Sequence, residues 1–110
     1  MAFELKEEGG YSVVYIDEAR LDASQAESFK TFLFDLIDSG KLSLVIDLSE
    51  VRFMDSSGLG ALVAGFKKLA GRGSFSLVGA QPAVRDLFEL TSMEKLFTLH
   101  DNVAEAVKGS

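Results

Sequence analysis

Leu44-Val45-Ile46-Asp47-Leu48-Ser49-Glu50-Val51-Arg52-Phe53-Met54-Asp55-Ser56-Ser57-Gly58-Leu59-Gly60 is the stretch whose reading decides the fold. It begins as a short apolar run of the buried-strand type. It turns polar at Asp55-Ser56-Ser57-Gly58, and an amphipathic segment follows from Leu59 to about Ala70. The pattern is a strand that ends in a tight turn and feeds a helix. Three small oxygen-bearing side chains then fall at the helix's first turn. Backbone N–H groups lack intrahelical partners there, and the local field favours negative charge. Two serine hydroxyls are thus presented where a phosphate is tolerated.

Outward from that junction, Leu42 to Leu48 reads as the central strand. Leu42, Leu44, Ile46 and Leu48 share one face and Val45 takes the other. The second helix is predicted from about Ser57 to Ala70, with Leu59, Leu62, Val63, Phe66, Leu69 and Ala70 as its buried stripe and Gly71-Arg72-Gly73 as its stop. Upstream, Phe3 and Leu5 alternate with charged residues as in an edge strand. Gly9-Gly10 is a hairpin turn signal, and Tyr11 to Ile16 is a second strand rich in β-branched and aromatic residues. Asp22 or Ser24 is placed to cap a first helix. That helix buries Ala26, Phe29, Leu33, Leu36 and Ile37 and ends at Gly40. Phe34 lies roughly 120° from the centre of its stripe, which leaves its exposure open.

Downstream, Phe75 to Val78 is a further strand. Pro82 suits the first turn of a third helix with Val84, Leu87 and Phe88 inward. Ser92 is placed to cap a short turn carrying Met93, Leu96 and Phe97. A brief strand near Thr98 to His100 and a short helix from about Val103 to Val107 follow. The order β-β-α-β-α-β-α-β-α predicts an α/β fold: a mostly parallel sheet with an antiparallel N-terminal edge and about four packed helices, joined by right-handed crossovers.

The chain's 110 residues are expected to form a single domain, residues 1–110. A formal charge of −6 argues against nucleic acid as a partner. The absence of cysteine removes disulfides, thiol catalysis and thiolate metal sites, and it is compatible with a reducing, cytoplasmic setting. The charged N-terminus does not read as a signal peptide, and no apolar run is long enough to span a bilayer, so no membrane role is expected.

The candidate chemistry sits at Asp55-Ser56-Ser57. These residues are helix caps, and a capping hydroxyl is also open to phosphorylation. Gly58-Leu59-Gly60 fails as a dinucleotide loop, because Val63 stands where a small residue is required. A serine hydrolase needs a base, and the one histidine, His100, falls in a late strand with no Gly-x-Ser-x-Gly elbow. No metal or other cofactor is expected. Lys67, Lys68 and Arg72 read as partners for the second helix's C-terminal carbonyls. Ala61, Ala64 and Gly65 lie opposite the predicted stripe and make a smooth face. Glycine inside a helix costs ~1 kcal/mol against alanine, so Gly65 points to a docking surface.

Phe53-Met54-Asp55-Ser56-Ser57-Gly58-Leu59-Gly60 resembles the signature of the STAS domain family, whose best-known members are bacterial anti-sigma factor antagonists. The likeness runs over nearly the whole chain. Val45-Ile46-Asp47-Leu48 fits the preceding family strand, Arg20-Leu21-Asp22-Ala23 the acidic turn, and Gln81 to Thr91 the later helix. Ala19 departs from the pattern, standing where the family often has glycine. The resemblance implies the STAS fold and a non-enzymatic, cytoplasmic switch protein. The unphosphorylated form would bind an anti-sigma factor that is itself a serine kinase, and so release sigma factor. The kinase would phosphorylate Ser56, directly after the motif aspartate, and a phosphatase of the PP2C type would reverse the mark. The expected partner surface comprises Asp22, Asp55, Ser56, Ser57, Gly58, Gly60, Ala61, Ala64 and Gly65. Two other readings remain open. One is a STAS subunit of a chemosensory, stressosome-like or lipid-transport assembly, and the other is a small serine hydrolase.

Overall fold

The computed structural model describes residues 2–108. Strand β1 (Phe3–Glu8) and strand β2 (Tyr11–Ile16) form an antiparallel hairpin. Gly9 and Gly10 make the turn at φ +59° and +86°, the left-handed backbone that a two-residue hairpin needs. A two-residue strand, β3 (Arg20–Leu21), precedes helix α1 (Ala23–Asp38). Strand β4 (Ser43–Asp47), a second two-residue strand β5 (Phe53–Met54) and helix α2 (Ser56–Leu69) follow. The chain continues through strand β6 (Ser74–Val78), helix α3 (Pro82–Leu90), a 3-10 turn at Met93–Lys95, strand β7 (Thr98–His100) and helix α4 (Val103–Lys108). The main sheet has the order β1-β2-β4-β6-β7, and every pair after the hairpin is parallel. This is the predicted mixed α/β sheet. β3 and β5 escaped the sequence pattern because two residues are too few to show periodicity; they pair in parallel as a small sheet of their own.

The period-two reading of β4 places the core. Leu44, Ile46 and Leu48 pack with Val14, Phe29, Leu33, Leu62, Leu77 and Phe88 in the larger cluster, beneath α1, α2 and α3. Val45 faces the other way and meets Val13, Val78 and Ala106, under α4. Rings tile the main core: Phe75 and Phe97 lie 5.8 Å apart, with Phe66 and Phe88 against Phe97.

Two details of the predicted helices change, and the exposure of Phe34 is settled. α2 starts at Ser56, one residue early, because Asp55 is its cap. Ala70 leaves the stripe: it is exposed and left-handed, at φ 52°. Phe34 is half-buried, with the Lys68 ammonium 4.8 Å from its ring. Arg72 behaves as the sequence predicts, donating from Nε and Nη2 to the Leu69 and Lys68 carbonyls at 3.0 and 2.9 Å.

Candidate functional site

The chain arrives twice at one place. β3 and β5 pair with Arg20 beside Phe53 and Leu21 beside Met54. The next residue in each segment is an aspartate in extended backbone, and each aspartate caps the helix that follows. The starts of α1 and α2 therefore lie side by side.

Asp22 settles the choice left open for α1. Its Oδ1 accepts from the Ser24 N–H at 3.0 Å and the Ser24 hydroxyl at 2.6 Å. Arg20 Nε donates to Oδ2 at 3.0 Å. The Ser24 hydroxyl foremost, and then Arg20, hold the Asp22 carboxyl below its usual range. The Arg20 guanidinium also lies over the half-exposed Phe53 ring, 4.4 Å from its centre. Asp55 does more than cap. Its Oδ1 accepts from the Ser57 and Gly58 N–H groups at 2.9 and 3.0 Å, while Oδ2 accepts from the N–H of Ala23, in α1, at 3.2 Å.

Gly58 is buried at this seam. A Cβ there would stand 2.2 Å from the Leu21 carbonyl oxygen, so only glycine lets the first turn of α2 rest on β3. Ser56 and Ser57 are exposed. Ala19 does not adopt the left-handed backbone that would call for glycine. Its carbonyl instead accepts from the Arg52 and Phe53 N–H groups at 2.7 and 3.1 Å and ties the two approaches together.

A groove of about 370 Å³ runs between α1 and α2 from this point. Ala23, Ala26 and Lys30 line one wall, Ser57, Gly60 and Ala64 the other. Ala61 and Gly65 do not form an outward face. Ala61 is 4% exposed, and Gly65 is buried where a Cβ would meet Leu33 Cδ1 at 2.8 Å and Phe75 at 3.3 Å. A helix packed on both the sheet and a neighbouring helix buries a wider arc than one stripe. The seam with α1 thus accounts for Gly65 by close packing. Gly60 is the glycine without such a reason: it is exposed, and nothing stands within 4 Å of the position of its missing Cβ.

The family model for the STAS domain matches residues 2–106. The chain belongs to the STAS domain family. An anti-sigma-B factor antagonist of Listeria monocytogenes is 32% identical over 111 residues, covering 100% of this STAS domain chain and 96% of the relative. The anti-sigma-F factor antagonist RsfB of Mycobacterium tuberculosis is 28% identical over 89 residues, covering 81% of this chain and 73% of the relative. The crystal structure of an anti-sigma factor antagonist from Mycobacterium paratuberculosis superposes with a TM-score of 0.89 at 30% identity, over 97% of this chain and 91% of that one.

Of the predicted site residues of this STAS domain, Asp22, Asp55, Ser56, Ser57, Gly58, Gly60, Ala61 and Ala64 gather at the α1–α2 seam, and Gly65 lies beneath it. The α1 wall, Ala23 and Lys30 above all, was not singled out from the sequence. Its signal was the repeated pattern Arg20-Leu21-Asp22 and Phe53-Met54-Asp55, a two-residue strand and then a cap. Among the described residues no group of three His, Asp or Glu side chains could hold a metal ion. No helix among them is long and apolar enough to cross a membrane.

Proposed function

We propose that this STAS domain is an anti-sigma factor antagonist acting as a single unit over residues 1–110. Its unphosphorylated form binds an anti-sigma factor that is also a serine kinase. Phosphorylation of Ser56 turns binding off, and a phosphatase of the PP2C type restores it. One observation carries the reading: Ser56 is an exposed first residue of α2, next to its capping aspartate, in a chain whose full-length relative is named an anti-sigma-B factor antagonist. A phosphoryl group there adds about −1.5 to −2 charge at neutral pH. The positive end of the α2 dipole offsets part of it, so the fold tolerates the mark. A partner that covers the site must desolvate a dianion beside Asp55, and that is costly without a matching cation.

The partner surface is the Asp22 turn, Ser56, Ser57 and the groove past Gly60 to Ala64. The domain supplies no catalysis, acting in the cytoplasm as substrate and ligand. The test is incubation with the cognate kinase and ATP, followed by mass spectrometry. A single phosphate on Ser56, with no labelling by ATP alone, is the expected result. Modification confined to Ser57, or labelling without the kinase, refutes the assignment.

A further inference from the structure

We infer that Asp55 is a positioning residue, which locks the Asp22 turn and the Ser56 turn into one surface. The inference rests on the reading of that surface as the switch, but its test does not. A carboxylate has about four acceptor sites. Asp55 spends three of them inside the protein, two on the first turn of α2 and one on the Ala23 N–H of α1. The bond to Ala23 crosses from one helix start to the other, whereas the Ala19 carbonyl ties the two segments together upstream of the helix starts. β3 and β5 are two residues each, and the backbone contact that continues them, from the Asp55 N–H to the Leu21 carbonyl, is stretched to 3.4 Å. Asp22 makes no such crossing in its side-chain hydrogen bonds, which go to Arg20 and Ser24 on its own segment.

The chemistry of the side chain separates the two roles. Serine caps a helix about as well as aspartate, but a single hydroxyl oxygen next to its own backbone cannot cap α2 and also reach Ala23. Asparagine caps through its one oxygen and then turns its amino group towards the Ala23 N–H, donor against donor. Asp55→Ser and Asp55→Asn therefore keep the cap and cut the tie, whereas Asp55→Ala removes both.

Fast amide-proton exchange is measured by NMR on the isolated protein, with no partner and no phosphate, beside the urea unfolding midpoint. In Asp55→Ser and Asp55→Asn the Ala23 amide is expected to exchange about fivefold to tenfold faster than in the wild type, the ratio that one hydrogen bond of ordinary strength sustains. Ser57 and Gly58 should stay within about twofold because the cap survives, and the unfolding midpoint should fall by no more than the one lost bond accounts for, less than in Asp55→Ala. In Asp55→Ala all three amides should speed up. Two results overturn the inference: unchanged Ala23 exchange in Asp55→Ser, or loss of all three protections together in every variant, which would make Asp55 a cap and nothing more. A failure to find Ser56 phosphorylated would leave these amide rates untouched, so the two claims fail separately.

Discussion

Gly58 and Gly60, two residues apart in one helix, answer to different demands. Gly58 is fixed by the fold, since a Cβ would stand 2.2 Å from a backbone carbonyl that cannot swing away. Gly58→Ala should lower stability by about 1–3 kcal/mol, the usual range for forced overpacking, despite alanine's better helix propensity. Gly60 faces open groove, and Gly60→Ala should raise stability by roughly 0.5–1 kcal/mol for the same propensity reason. Urea unfolding of the pair checks both signs. If the groove is the docking surface, the stabler Gly60→Ala protein should bind its partner less well, because a methyl occupies space the partner uses. The sequence singled out Gly65 for this part. Nothing local distinguishes the two glycines; what does is the approach of Leu33 and Phe75 from elsewhere in the chain.

The helix starts were legible because they obey local rules. An aspartate in extended backbone followed by free N–H groups is a cap wherever it occurs, and Asp22 and Asp55 both are. That the two share a surface came from the family resemblance; the bond that joins them, from Ala23 to Asp55, links residues 32 apart and was not legible in the residues themselves. The Asp22 turn carries a pH dependence of definite sign. Ser24 and Arg20 favour its ionised form, so the folded protein holds this carboxyl below the usual aspartate value of 3.8. The stabilisation is therefore complete above that value and is lost as pH falls through the lower folded one. Asp22→Asn keeps a capping oxygen and cannot ionise. The wild type's stability advantage over Asp22→Asn should be constant near neutrality and shrink as pH is lowered below the usual aspartate value and Asp22 protonates. An advantage that stays level across that range contradicts the assignment. Along the groove, Ala64 is half-buried and lines the wall. Ala64→Arg should fill the groove and abolish partner binding while circular dichroism and the unfolding midpoint change little. Phe34→Ser should cost some stability, since that ring is half-buried beneath Lys68.

At the scale of the molecule, the α/β alternation, the N-terminal hairpin and the two faces of β4 followed from hydrophobic period, because burial on a sheet imposes a two-residue repeat on any strand long enough to show it. β3 and β5 are too short for that, yet they bring the two helix starts together, so the site was legible in its residues but not in its assembly. The sheet holds this seam from below while the groove stays open above, which makes the proposed switch one of charge on a fixed surface. Loss of ~3 kcal/mol of binding energy already weakens a complex by about two decades. The direct test is calorimetric titration of the cognate anti-sigma factor with the unmodified protein and with protein carrying phosphoserine at position 56. The account predicts binding about a hundredfold or more weaker for the phosphorylated form, with near-identical circular dichroism. Equal affinity of the two forms would contradict it.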